Sequence, residues 1–108
     1  MRNGAIGVET CAKLCYNSYL MITKENKVKA FALTQAHKTD VGSSAAQASV
    51  LTSRINEVTE HFKANKHDHM ARRGLMQMVG RRKKVLKYLE SKDFEGYKEV
   101  VAKLKLRK

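Results

Sequence analysis

The chain has 108 residues, with 22 Lys+Arg against 10 Asp+Glu, a formal net charge of +12 and a pI of about 10.0. That length admits one small domain, and the 43% of apolar residues can supply a modest core. No apolar run approaches the roughly 20 residues needed to cross a bilayer, and two cysteines one helical turn apart, Cys11 and Cys15, argue against a disulfide framework and fit a reducing compartment.

Residues 1–20, MRNGAIGVETCAKLCYNSYL, are broken by Glu9 and Lys13, which rules against a secretory signal, and a transit peptide is a weak alternative, since such segments are rich in Arg and Ser and poor in acid. Met21 is the expected working start. Residues 1–20 are then a non-native or disordered extension ahead of a single helical domain at 21–108. Past Met21 there is no proline and no sustained apolar/polar alternation, so the expected fold class is all-α.

Thr23 is placed to cap a first helix reaching to about Gln35, with Glu25 in its first turn and Val28 and Phe31 facing inward. Asp40 to Ser43 then form a turn in which Gly42 permits a positive φ. Ser44 and Gln47 match the S-x-x-Q capping box, opening a helix that buries Ala48, Leu51, Ile55, Val58 and Phe62 along one stripe. A break is expected near Asn65 to Asp68. The third helix should bury Leu75, Met78, Val79, Val85, Leu86 and Leu89, and Asp93 should cap a short fourth carrying Tyr97, Val100, Val101 and Leu104. Three such stripes can share one core, with the first helix docked loosely.

The charge is unevenly distributed over these elements. Residues 61–108 hold fifteen Lys/Arg against five Asp/Glu, which is +10 of the +12. Arg72, Arg73, Arg81, Arg82, Lys83, Lys84 and Lys87 fall within sixteen residues that contain no acid. Such a surface seeks phosphate. Consecutive residues point about 100° apart around a helix axis, so these seven cannot all meet one ligand.

GSSAAQASVLTSRIN, HFKANKHDHMARRGLMQMVGRRKKVLKYL and the terminal LKLRK, in that order and spacing, resemble the bacterial-type small-subunit ribosomal protein fifteen family. The resemblance covers Met21 to Lys108. Its signature, H-x(6)-D-H followed by R-R-G-L and a basic cluster before Y-L, is long and specific. It implies a four-helix fold with a mobile first helix and a three-helix core. It also implies binding to the central domain of small-subunit rRNA at a three-way junction and a nearby helix, early in assembly, and an intersubunit bridge to large-subunit rRNA. The implied partners include neighbouring small-subunit proteins. A monomer outside the ribosome, a cytoplasmic rather than organellar small subunit, no membrane, no cofactor and no catalysed reaction complete the expectation.

Carried over residue by residue, the resemblance places Gly42, Ser43, Gln47 and Tyr88 at the junction, and His61, Asp68 and His69 at an RNA minor groove. Arg72, Arg73, Arg82 and Lys84 complete the expected RNA-binding set. A carboxylate such as Asp68 can accept from the guanine exocyclic amine, the one base donor in that groove. Taken alone, Asp68 reads as a helix N-cap, Ser44 and Gln47 as a capping box, and Tyr88 as a core-edge tyrosine. The chain departs from the family pattern at Val41, Ala45, Met70 and Ala71. At Ala71 a hydroxyl of the minor-groove cluster is missing, for which a loss of roughly 0.5–1.5 kcal/mol is expected unless the RNA or a water compensates.

Two other classes fit poorly. His61, His67 and His69 lack a fourth ligand and the i, i+4 spacing of a helical metal site, and no nucleophile, base and orienter assemble. A basic helical DNA-binding regulator is the stronger alternative, separable by preference for structured RNA over duplex DNA.

Overall fold

In a computed structural model the described residues are 23–107, and they form four α-helices: α1 (Lys24–Ala32), α2 (Ser44–Ala64), α3 (His69–Lys92) and α4 (Phe94–Lys103). No strand occurs among them. The expectations for residues 1–20 lie outside the described residues.

Each helix begins on a side chain that can accept a hydrogen bond from the first exposed amides. Thr23 Oγ1 accepts from Asn26 N at 3.4 Å, Asp68 Oδ1 from Ala71 N at 3.0 Å and Asp93 Oδ1 from Gly96 N at 3.1 Å. Asp93 also ends α3, its amide donating to Leu89 O at 2.7 Å, so one residue closes one helix and opens the next.

The start of α2 differs from the S-x-x-Q reading by one residue. Ser43 is the cap, its Oγ accepting from Ala46 N at 3.2 Å, while Gln47 Nε2 folds back to Val41 O at 2.7 Å. Asp40 takes the reciprocal role assigned to the glutamine, with Oδ1 accepting from Ser43 N at 3.1 Å and Oδ2 from Ala36 N at 3.4 Å. These bonds steer the chain, and Gly42 does not adopt a positive φ. The same knot ends α1 at Ala32 rather than near Gln35. Thr34 N and Gln35 N both donate to Phe31 O, and Gln35 Nε2 reaches Asp40 O at 3.2 Å.

Helices α2 and α3 form an antiparallel hairpin that carries the largest share of the packing, α1 lies on α2, and α4 folds back on α3 and α2. Small residues of α2 let its neighbours approach closely: Ala46, Ala48, Ser49 and Thr52 are buried with Ile55 and Val58, and α3 contributes Ala71. Leu51 and Phe62, and the α3 stripe of Leu75, Met78, Val79, Val85, Leu86 and Leu89, are only half-buried. The shortest dimension of the molecule, 19 Å, is about two helix diameters, so no stripe is enclosed on every side.

On α1, Phe31 and Ala30 are buried against α2, where Ser49 Oγ donates to Ala30 O, but Val28 is 66% exposed and does not face inward. The Asn26 amide adds a bond to Glu57 Oε1 at 3.0 Å. The first helix is thus docked, on a narrow apolar contact supplemented by two polar ones. No described helix is long and apolar enough to cross a membrane.

Candidate nucleic-acid interface

The hairpin separates the expected site residues into two groups. Gly42, Ser43 and Gln47 stand at the N-terminal end of α2, and His61 stands 18 residues later, a rise of roughly 27 Å at 1.5 Å per residue. Beside His61, across the break, are Asp68, His69, Arg72 and Arg73 on the start of α3. Arg82 Nη1 lies 3.5 Å from Thr52 Oγ1, which sets the hairpin register. Tyr88, six residues beyond Arg82, is therefore level with Ala46 at the turn end.

At the break, Asp68 uses both carboxylate oxygens. Oδ1 caps α3, and Oδ2 is 3.1 Å from His61 Nε2. An ionised carboxylate only accepts, so Nε2 carries the hydrogen in this pair. The Ala71 amide first, and then the His61 ring, hold the Asp68 carboxyl below the usual carboxylate range. The His61 side chain is 11% exposed and that of Asp68 35%. The histidine thus braces an aspartate that stays open to the outside, with acceptor capacity remaining on its oxygens. His69 is exposed. Ala71 is 0% exposed, so its side-chain position faces protein and not the open side of this cluster.

The basic helix divides just as its geometry demands. Arg72, Arg73, Arg81, Lys83, Lys84 and Lys87 are exposed, and none has a carboxylate within ion-pair distance among the described residues. Arg82 differs. It lies in the apolar stripe of α3, half-buried, with its guanidinium turned to Thr52 on α2. Its first role is in packing, which the one-dimensional cluster of cations conceals. Tyr88 is 57% exposed and so is not a core residue. It shares the outward arc with Lys84, one turn away.

At the other end, Gly42 is exposed and a Cβ built there would meet nothing within 4 Å. Nothing inside the protein therefore requires glycine at this position. Asp40, which sequence reasoning treated as a turn former only, organises this end. The Ser43 hydrogen bonds and that from Ala36, aided by His37, hold its carboxyl below the usual range against a partly opposing desolvation.

Sequence reasoning also missed Arg54. Gln47, Arg54 and His61 are seven residues apart, two turns each, so they form one row along α2 joining the two groups. Arg54 is half-buried and its Nε is buried without a hydrogen-bond partner among the described residues, a cost that an external acceptor would remove. The seven-residue spacing between two residues already singled out was the available signal.

A sequence profile described as Ribosomal protein S15 matches residues 27–107. The chain belongs to the ribosomal protein S15 family. Among its relatives it is 47% identical to the small ribosomal subunit protein uS15 of Carboxydothermus hydrogenoformans over 89 residues, covering 82% of this chain and 100% of the relative. It is 52% identical to that of Fervidobacterium nodosum over 87 residues, covering 81% and 100%. The Microcystis aeruginosa protein of the same name is 45% identical over 89 residues, with 82% and 100% covered. The family's helical architecture matches the four helices described above.

Proposed function

We propose that this chain is a structural protein of the small ribosomal subunit that binds the central-domain three-way junction of small-subunit rRNA and nucleates assembly there. Its relatives carry the name of a small-subunit ribosomal protein, which supports the ribosomal setting. In this reading the turn at Gly42, Ser43 and Gln47, with Tyr88, meets the junction. His61, Asp68 and His69 meet a minor groove one hairpin length away, and Arg72, Arg73, Arg54 and Lys84 bind phosphates between and around them.

The observation that carries the proposal is the pairing of these two polar ends on one helical hairpin, with six cations along α3 that have no carboxylate within ion-pair distance among the described residues. The Ala71 amide and the His61 ring hold Asp68 ionised, and an ionised carboxylate is repelled by phosphate but accepts from a base amine. The activity is binding, with no reaction catalysed. Contact with large-subunit rRNA across the subunit interface, contacts with neighbouring small-subunit proteins, a cytoplasmic ribosome and a monomeric free protein belong to the same proposal.

The test is affinity for the junction RNA against an unrelated RNA duplex, and a DNA duplex, of equal charge at near-physiological salt. The junction should be preferred and its binding should weaken steeply with salt, because each neutralised phosphate releases counterions. Equal affinity for all three would reject junction recognition, and preference for the DNA would favour a DNA-binding regulator.

A further inference from the structure

After α4 the chain reverses on Lys105, the one described non-glycine residue with a positive φ, 51°. Lys105 N donates to Ala102 O at 3.2 Å and Leu106 N to Val101 O at 3.1 Å, the two bonds of a Schellman ending that normally takes glycine. The reversal brings Leu106 and Arg107 to a groove of about 590 Å³ between α3 and α4. Val79 and Leu86 from α3, Val101 from α4 and Leu106 from the tail supply its apolar lining. Tyr97 adds a ring from α4, stacked on Phe94 with centroids 6.4 Å apart and planes at 22°.

The groove is also cationic. Lys83, Lys87 and Arg107 line it against a single carboxylate, Glu90, and Arg82 also lines it, with its Nη1 on Thr52 Oγ1. An apolar floor, a braced aromatic ring and several cations match a flat base with an attached phosphate. The volume lies in the range of small-ligand sites, roughly 300–1,000 Å³. A base inside a duplex is already stacked and cannot enter, so the occupant must be unpaired.

We propose that this groove binds an unstacked nucleotide of RNA, its base against Tyr97 and the apolar lining and its phosphates at Lys83, Lys87 and Arg107. None of Gly42, Ser43, Gln47, Tyr88, His61, Asp68 and His69 lines this groove, and the proposal rests on the RNA-binding reading above.

The experiment titrates the full chain with pentaadenylate, with an abasic pentamer of the same backbone, with a blunt RNA duplex and with a pentaglutamate peptide, following methyl and aromatic NMR signals. Pentaadenylate should shift the Val79, Leu86, Val101 and Leu106 methyls and the Tyr97 ring. The abasic pentamer should bind about tenfold more weakly. Tyr97→Leu should lower pentaadenylate affinity by about the same factor, and Tyr97→Phe, which keeps the ring, should retain it. Equal affinity for the abasic pentamer overturns the proposal, as does pentaadenylate binding that leaves the Tyr97 ring and these methyls unshifted. Equal perturbation by pentaglutamate assigns the groove to a protein and also overturns it. Absence of any pentaadenylate effect in a chain that still binds the junction RNA defeats the groove alone, whereas no binding of the junction RNA defeats the RNA-binding reading as well.

Discussion

His61 Nε2 lies 3.1 Å from Asp68 Oδ2 across the α2–α3 break, while the other Asp68 oxygen caps α3 through Ala71 N. One carboxylate therefore ties the end of one helix to the start of the next and remains partly open. Asp68→Ala should lower thermal stability by about 1 kcal/mol through the lost cap and weaken rRNA binding by roughly 1–3 kcal/mol if the carboxylate reads guanine. Replacing that guanine by inosine, which lacks the amine, should weaken wild-type binding and leave the mutant's unchanged. A mutant that still discriminates between the two RNAs would reduce Asp68 to a cap.

The same aspartate predicts a pH dependence. Its folded pKa is depressed, as is that of Asp40, so the stability they contribute is complete above the unfolded value of about 3.9 and is lost as pH falls through the folded values. Asp68→Asn keeps an oxygen for Ala71 N and removes the titration. Thermal unfolding followed from neutral pH to about pH 2 should show a shallower acid loss in this variant than in the wild type; parallel curves would contradict the assignment.

Arg82 and Lys84, two residues apart, should separate packing from phosphate binding. Lys84→Ala should reduce the slope of log affinity against log salt by roughly one unit or slightly less, with thermal stability unchanged. Arg82→Met keeps an apolar stem of similar reach and should leave that slope intact. Its effect should be confined to stability, through the lost bond to Thr52. An equal fall in slope for both would place Arg82 among the phosphate contacts.

Gly42→Ala is expected to leave the unfolding temperature within error, since the position has no positive φ and open space around an added Cβ. Junction RNA affinity should fall nonetheless, because the methyl occupies room that RNA backbone would use. Undiminished affinity would remove Gly42 from the proposed contact set.

Residues 1–20 carry only about +1, and the family match begins at residue 27. We propose that they contribute nothing to stability or rRNA affinity. Deleting them should leave both within error of the full chain, and a tenfold loss of affinity, about 1.4 kcal/mol, would show real contacts.

Helix order and the caps at Thr23, Asp68 and Asp93 were legible in the sequence because capping is decided within three or four residues of chain. The cap of α2 was misplaced by one residue for a related reason. Ser43 and Ser44 are chemically alike, and Asp40, which selects between them, acts through its bonds to Ser43 N and Ala36 N. Val28 was misjudged because it satisfies helical periodicity, yet α1 packs chiefly on α2 and buries little beyond Ala30 and Phe31.

The candidate site divides along the same line. Residue type and spacing along the chain are enough to mark Asp68, the basic run and the Gly42 turn, since those signals are local and the family resemblance is long. Arg82 against Lys84, the enclosure of Ala71, the exposure of Tyr88 and the row of Gln47, Arg54 and His61 depend on which side of each helix finds a neighbour. By itself the sequence determined an all-helical, strongly basic chain with its charge gathered on one segment. Only the tertiary structure decided which cations remain free for phosphate, because burial against α2 is a property of the hairpin register and not of any single helix.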